Sequence, residues 1–280
     1  MNRARLAASV AATLSTVLLA GLALATPAAS GAFTARVRNA ANAVATAQYF
    51  HCSDALAQDA ATALFQWPLS DAADVSTAAD VSGQNHPGSY QGTRRITTTA
   101  PLACPRDAGS AWQPDGSAMS VYSSVQQANP TTFTVEIWFR TSIAGGKLIG
   151  FGTGTGTSGQ YDRHLYIDKN GAVVLGVYAN GIRTVQTSGR SYADGAWHLA
   201  AGTLSSQGLS LYVDGELVTT DATVTTAEND TGYWKVGYDT LGGSWPNVST
   251  ASFTGSLRYA AVYTSALTAA QIRAHFAAGR

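Results

Sequence analysis

Large apolar residues recur at every second position in several parts of the chain, most regularly between positions 132 and 140. The residues between them fall on the opposite face of an extended backbone. One face carries Phe133, Val135, Ile137 and Phe139. The other carries Thr134, Glu136, Trp138 and Arg140. A period of two residues is typical of a β-strand with one buried face, so this segment predicts a half-buried strand.

Further strands are predicted at short intervals along the chain. A first strand is expected over 64–69, where Pro68 indicates a sheet edge or a strand end. The others are expected over 147–151, 163–167, 172–178, 181–186, 197–204, 209–213, 216–219, 233–237 and 257–263. Asp214-Gly215 is a tight-hairpin signal, because both residues tolerate a positive φ. Short strands at this spacing predict an all-β sandwich or barrel.

One helix is predicted, at the C-terminal end of the sequence. Thr268 and Gln271 have the spacing of a capping box, in which each side chain bonds the backbone of the other residue. Ile272 and Phe276 lie one turn apart on a face that can be buried, and Gly279 supplies a stop. The chain therefore combines a β-domain with a short C-terminal helix.

The first 30 residues have the three parts of an export signal. Arg3 and Arg5 precede an apolar run over 6–25, and small residues at 28–30 offer a cleavage site. An uncleaved membrane anchor is the alternative, since about 20 apolar residues span a bilayer. The many alanines in the run favour cleavage. We expect a secreted or cell-surface protein whose mature form does not span the membrane, with an N-terminal extension (31–62) packed on a main domain (63–280).

Two cysteines, Cys52 and Cys104, follow the predicted signal. An even number of cysteines in an exported protein predicts a disulfide, and only one pairing exists for two cysteines. No further cysteine or histidine has the spacing of a zinc site.

The charge of the chain limits the classes of partner that it is expected to bind. The chain has 17 basic and 17 acidic side chains, no block of like charge, and only 12% charged residues. Nucleic-acid binding depends on a basic surface, so no nucleic-acid partner is expected. Arginine outnumbers lysine by fourteen to three, and alanine is abundant, which is typical of a GC-rich bacterial gene.

Four stretches in order along 63–278 resemble the laminin-G-like domain of the concanavalin A-like lectin/glucanase group. They are Asp80-Val81-Ser82-Gly83 with Gly88 and Tyr90; Phe133 to Phe139; Asp194-Gly195-Ala196-Trp197-His198 with Leu211-Tyr212-Val213-Asp214-Gly215; and Phe253-Thr254-Gly255-Ser256-Leu257 with Ser265 to Ile272. The resemblance implies an antiparallel two-sheet jelly-roll sandwich. Trp197, Trp138 and Tyr212 are interpreted as packing residues, because large aromatics in strands are usually buried.

The resemblance also raises the question of catalysis. Glucanases of this group carry two glutamates on one strand at E-x-D-x-x-E spacing, which places the carboxyl groups close enough for a retaining mechanism. The three glutamates here, Glu136, Glu216 and Glu228, lie on separate predicted elements. We therefore expect no catalytic residues and no enzyme, with an unrecognised glycan hydrolase as the weakest alternative.

Relatives in the group are expected to hold a structural calcium through the D-x-S-G aspartate, which is Asp80 here. Calcium requires six to eight oxygen ligands. Arg258 and Tyr259 follow the last F-x-G stretch, where the family often has Asp-Glu. The arginine disfavours a cation, so no metal or other cofactor is expected, and Arg258 is predicted to pair with Asp80 instead.

Aromatic residues in turns are the natural contacts for a carbohydrate, because a ring stacks on the C–H face of a sugar. The predicted ligand-binding residues are Trp245, Trp234, Tyr238, Tyr161 and Arg163, with Trp245 expected to be the most exposed ring. The leading hypothesis is a non-catalytic recognition module for a glycan or another surface polymer. The competing hypothesis is a structural or adhesion subunit that self-assembles through residues 33–50.

Overall fold

Two antiparallel β-sheets packed face to face form the body of the protein. The computed structural model describes residues 48–280. Sheet 1 has the strand order β15-β14-β13-β8-β17-β5-β4, with β1 also paired to β17. Sheet 2 has the order β12-β11-β10-β9-β16-β6-β3-β2, with β7 also paired to β16. The all-β, two-sheet prediction is confirmed.

The strands vary from two to nine residues in length. They are β1 Ala63–Trp67, β2 Thr77–Ala78, β3 Gly88–Gln91, β4 Ile96–Thr97, β5 Ala111–Trp112, β6 Ser120–Ser123, β7 Gln127–Ala128, β8 Phe133–Arg140, β9 Lys147–Gly152, β10 Tyr161–Ile167, β11 Val173–Tyr178, β12 Ile182–Gln186, β13 Trp197–Ser205, β14 Gly208–Val213, β15 Glu216–Asp221, β16 Thr231–Val236 and β17 Ser256–Tyr263. The helices are α1 Cys52–Gln58, a 3₁₀ turn Ala60–Thr62, and α2 Ala269–Ala278.

Each predicted strand is present, and its ends agree to within two residues. The short strands β2 to β7 were not predicted, because segments of two to four residues are too short to show a period. Asp214 and Gly215 both have positive φ, 54° and 79°, as the predicted hairpin requires. The capping box of α2 is also formed by Thr268 and Gln271.

Strand β8 lies in the middle of sheet 1, between β13 and β17. Its predicted apolar face, Phe133 to Phe139, lies in the core between the sheets. The prediction of a half-buried strand is wrong, because the opposite face is buried as well, with Trp138 only 3% exposed and Glu136 1% exposed. Both helices cover that face.

The helices are attached to sheet 1 by a second hydrophobic cluster on its outer face. This cluster includes Leu56 of α1, Ile272 of α2, and Trp138 and Tyr263 of the sheet. The predicted disulfide is formed, with the Cys52 and Cys104 Sγ atoms 2.01 Å apart, and it ties α1 to the loop that precedes β5.

A third cluster lies on the outer face of sheet 2, where the loop after β16 folds back over the strands. It contains Tyr166, Val174, Leu241 and Trp245. No helix in 48–280 is both long enough and apolar enough to cross a membrane. The predicted signal peptide, and all of the predicted assembly segment 33–50 except Gln48–Phe50, lie outside the described residues.

Candidate functional site

A cleft of about 650 Å³ opens on the outer face of sheet 1, beside the C-terminal end of α2. Volumes of this size are typical of ligand sites. The cleft, called here the Trp197 cleft, is lined by Pro101, Leu102, Ala103, Pro105, Trp138, Arg140, Gly195, Ala196, Trp197, His198, Asp214, Phe276, Gly279 and Arg280. Its lining is mainly apolar, with a few polar groups, as is usual for small-molecule sites.

Trp197, the first residue of β13, is partly exposed and lines this cleft. Its indole Nε1 donates a hydrogen bond of 2.8 Å to the carbonyl oxygen of Pro101, which fixes the ring against the loop before β5. The buried Trp138 stacks on Phe276 of α2, with ring centroids 5.6 Å apart. The cleft therefore has one fixed indole beside a rigid aromatic pair.

A charged group closes the side of the cleft at the turn between β14 and β15. His198 Nδ1 lies 2.8 Å from the Asp214 carboxylate, and Nε2 lies 3.1 Å from Asp194. Burial alone would lower the pKa of His198, but hydrogen bonds and charge from Asp214 and Asp194 outweigh it and raise this pKa. The two carboxylates thus favour the protonated form of His198.

Arg140 stands at the end of β8, where the Trp197 cleft meets a second recess. Its Nε donates a hydrogen bond of 2.7 Å to the Gly195 carbonyl, which orients the guanidinium. The second recess, about 310 Å³, shares Leu102, Arg140 and Trp197 with the cleft. The arrangement offers an aromatic surface and an oriented cation to one ligand.

The expectation that Trp245 is exposed is wrong, since the side chain is only 4% exposed. Its ring fills space above Gly176, where an added Cβ would lie 2.6 Å from the indole. It also meets the His164 ring edge to face, with centroids 4.5 Å apart. The missing side chain at Gly176 lets a loop tryptophan pack on sheet 2, which turn composition alone did not reveal.

Two other predicted ligand residues are fully buried. Trp234 lies between the rings of Phe133 and Phe151 in the core, at centroid distances of 5.3 and 5.2 Å. Arg163 is 0% exposed and pairs with Asp162 at 2.9 Å. Neither side chain reaches the surface, so neither offers a contact to a ligand in this structure.

Tyr161 and Tyr238 remain partly exposed, and their role as ligand contacts stays a prediction. The two loops that carry the predicted residues do meet, but through a buried polar group. Asp239 accepts a hydrogen bond of 2.8 Å from the Ser158 hydroxyl and pairs with the Lys235 ammonium at 3.0 Å. Burial lowers the pKa of the neighbouring Lys147 to about 7. This network holds the loops together instead of facing a ligand.

The predicted pairing of Asp80 with Arg258 is wrong. The Arg258 guanidinium points away from Asp80 and donates to backbone carbonyls, among them those of Cys104 and Ala108 at 2.9 and 2.8 Å. A positive φ at Tyr259 and a register shift after Arg258 distort β17 at this point.

Asp80 also does not fit a calcium ion. Each carboxylate oxygen accepts two hydrogen bonds, from the Gln66 and Ser82 amides on one side and from the Ser82 hydroxyl and the His86 amide on the other. Among the described residues, one cluster has metal-ligand spacing: Cys52, Cys104 and Asp107. Its sulfurs are joined as a disulfide and are not thiolate ligands.

The three glutamates are separate in the structure as well. Glu136 is buried beneath α2 and bonds His275. Glu216 pairs at the surface with Arg273, with oxygen and nitrogen 2.9 Å apart. Glu228 is partly exposed in the loop before β16. Among the described residues that line the Trp197 cleft, Asp214 is the one acidic side chain, and none of the three glutamates lines it.

Sequence reasoning missed the Trp197 cleft, because Trp197 was interpreted as a packing residue. The signal that could have identified it is the start of the strand: Trp197 is the first residue of β13 and comes two positions after the Asp194-Gly195 turn, so it lies at the end of the strand. Trp138, in the middle of a strand, is buried as interpreted.

Comparison with known proteins supports the observed fold. A sequence model described as the concanavalin A-like lectin/glucanases superfamily matches residues 115–273, more than half of the chain. Among curated proteins, none matches the chain in sequence.

Binding domains of botulinum neurotoxins are similar in structure. The binding domain of botulinum neurotoxin DC, solved with rat synaptotagmin II, aligns with a TM-score of 0.56 and 12% identity over 79% of this chain and 52% of that one. A botulinum neurotoxin type C structure, described as concerning cell entry that depends on two ganglioside molecules, aligns with a TM-score of 0.56 and 13% identity over 80% of this chain and 53% of that one. The DC domain in complex with SialylT aligns with a TM-score of 0.55 and 13% identity over 79% of this chain and 52% of that one. This chain spans about half of each, and the likeness concerns the fold alone.

Proposed function

Because the chain belongs to the concanavalin A-like lectin/glucanases superfamily, we propose that it is a non-catalytic extracellular recognition module that binds carbohydrate in the Trp197 cleft. The fold itself hosts both binding and hydrolysis, so the proposal depends on the site.

The observation that carries the proposal is the exposure of the tryptophans. All six lie in the described part of the chain, and five of them, Trp67, Trp112, Trp138, Trp234 and Trp245, are at most 4% exposed. Trp197 is the one of the six that is partly exposed, and it lines a cleft of ligand size. A fixed indole stacks on the C–H face of a sugar with little loss of conformational entropy.

The surroundings of Trp197 suit a ligand with hydroxyl groups. The terminal nitrogens of Arg140 donate to none of the residues that the structure describes, and Asp214 at the turn offers acceptor capacity, so both kinds of polar partner border the ring. Among the lining residues within 48–280, no two carboxylates face each other, which supports binding without hydrolysis. Neurotoxin domains of similar fold, described as binding gangliosides or SialylT, are consistent with a carbohydrate partner.

A glycan array probed with the full chain, disulfide intact, tests the proposal. Binding to a defined class of glycan is expected, with at least a tenfold loss in Trp197→Ala. Tyr178→Ala is the matched control, because Tyr178 is a 41% exposed aromatic residue of β11, in the other sheet. An array without binding, or equal losses in the two variants, would contradict the proposal.

A second candidate is a structural or adhesion subunit that self-assembles through its N-terminal segment. It is favoured by one observation: Phe50, within the predicted segment 33–50, is 67% exposed. Light scattering of the wild type and of Phe50→Ser tests it. A concentration-dependent oligomer that the substitution dissociates is expected for this candidate, and a monomer at all concentrations would eliminate it.

A further inference from the structure

In the described part of the chain, the guanidinium groups of Arg140 and Arg280 have neither an ion pair nor more than one hydrogen bond to a backbone carbonyl, unlike those of the other arginines. Five of the ten form ion pairs with carboxylates: Arg95, Arg163, Arg183, Arg190 and Arg273. Three more donate at least two hydrogen bonds to backbone carbonyls: Arg94, Arg106 and Arg258. Arg140 makes one such bond, and the Arg280 guanidinium makes none to residues 48–280. Both line the Trp197 cleft.

The acidic side chain in the cleft does not neutralise these guanidinium groups. Asp214 accepts from the His198 ring at 2.8 Å with one oxygen and from the Leu199 amide at 3.1 Å with the other. No ion pair joins Asp214 to Arg140 or Arg280, whose guanidinium lies 5.4 Å over the Phe276 ring. The cleft therefore presents two cationic groups beside an aromatic surface.

Arg140 belongs to both recesses, with Trp197 and Leu102 at the same junction. Both recesses are open to solvent, and these three residues line each of them. A ligand longer than one sugar ring that lies over Arg140 would therefore contact both recesses. The second recess is polar and includes Thr97, Thr99, Gln113 and Ser142. These residues supply hydrogen-bonding groups to the part of the ligand that extends beyond Trp197.

Resting on the proposed function, we infer that the ligand is the interior of a linear acidic polysaccharide, whose anionic groups pair with Arg140 while a neighbouring sugar stacks on Trp197. Guanidinium groups bind carboxylate or sulfate through paired N–H donors. The Nε bond to Gly195 holds Arg140 in place, so its terminal nitrogens are presented already oriented. Arg280 supplies a second cation in the Trp197 cleft.

Calorimetric titration of the full chain with galacturonic acid oligomers of two to eight units tests the inference. The fully methyl-esterified oligomers of equal length serve as uncharged probes, and dextran sulfate represents the sulfate alternative. The acid is expected to bind at least tenfold more tightly than its ester, with affinity that rises with length until both recesses are filled. Tighter binding of dextran sulfate would assign the anion to sulfate.

Arg140→Gln is expected to abolish the difference between acid and ester, because it removes the guanidinium that pairs with the carboxylate. Arg140→Lys keeps the charge and is expected to retain most of the preference for the acid over the ester. A melting curve that matches the wild type verifies that each variant folds. Arg183→Gln, which removes the same charge at β12, is expected to retain the full preference.

The outcomes separate this inference from the proposed function. Acid and ester binding equally, in a manner that depends on Trp197, would overturn the acidic ligand and leave carbohydrate recognition intact. A preference for acid that Arg140→Gln leaves unchanged would overturn the assignment to Arg140. No binding of any saccharide, here or on the array, would overturn both.

Discussion

The imidazole Nδ1 of His275 lies 3.0 Å from the Glu136 carboxylate beneath helix α2, with both side chains 2% exposed. The other ring nitrogen lies 3.1 Å from Asp59, just after α1. Burial alone would lower the pKa of His275, but the charges and hydrogen bonds of Glu136 and Asp59 raise it to about 10. A buried imidazolium thus joins both helices to the central strand.

A raised pKa in the folded state means that this histidine stabilises the fold fully below its unfolded pKa of about 6.5, and that the contribution falls as pH rises towards 10. Lys147, with its pKa lowered to about 7, contributes with the opposite sign over the same range. The measurement is therefore the difference in Tm between wild type and His275→Gln. We expect about 5 °C or more at pH 6 and a clearly smaller difference at pH 10.

His164→Gln is the control for that experiment. Burial is the main cause that holds the pKa of His164 well below 6.5, so this ring is neutral throughout pH 6.5–10. Its substitution is expected to change Tm by a constant amount over about pH 7.5–10, where the unfolded imidazole, with a pKa of about 6.5, is neutral as well. A constant difference for His275→Gln as well would contradict the buried imidazolium.

Removal of the disulfide is expected to destabilise the protein and to weaken ligand binding together. Cys52 and Cys104 are separated by 52 positions, and closing a loop of that size stabilises by about 4 kcal/mol in the chain-entropy model. Cys104 also anchors the 101–105 wall of the Trp197 cleft. Urea denaturation and titration of the Cys52→Ser/Cys104→Ser variant measure the two effects. Unchanged affinity in a destabilised variant would show that the wall is positioned without the disulfide.

Asp80 is expected to act as a structural hydrogen-bond acceptor without calcium. Asp80→Ala leaves the Gln66, Ser82 and His86 amides without this acceptor, so a loss of about 2–4 kcal/mol is expected. Adding calcium or a chelator is expected to leave the wild-type Tm unchanged to within about 1 °C. A clear rise in Tm with calcium that is lost in Asp80→Ala would restore the metal site.

Local patterns in the sequence predicted the sheets but not what covers them. The period of two over β8 was sufficient to place Phe133 and its neighbours in the core. The burial of Glu136 on the other face depends on His275, which arrives from a helix almost 140 positions later. A strand pattern shows which residues share a face, and it carries no information on a distant element that packs against that face.

The ligand site was harder to predict for a related reason. Loop composition suggested an exposed Trp245, but the space above Gly176 accommodates its ring. Trp197 remains partly exposed because it is the first residue of its strand. There the 101–105 loop contacts the ring from one side. Exposure is a property of the tertiary neighbourhood, so the exposure expected for Trp245 was wrong, whereas Trp197 packs against the second cluster as interpreted and still stays partly exposed.

Oxidation of tryptophan by limiting N-bromosuccinimide, mapped by peptide mass spectrometry, tests the central claim most directly. In the free protein, Trp197 is expected to be the first of the six tryptophans to be modified, because the other five are at most 4% exposed. The tightest-binding glycan from the array, at saturation, is expected to protect Trp197 at least fivefold. Unchanged oxidation of Trp197 in the saturated complex, or protection at Trp245 instead, would contradict carbohydrate binding in the Trp197 cleft.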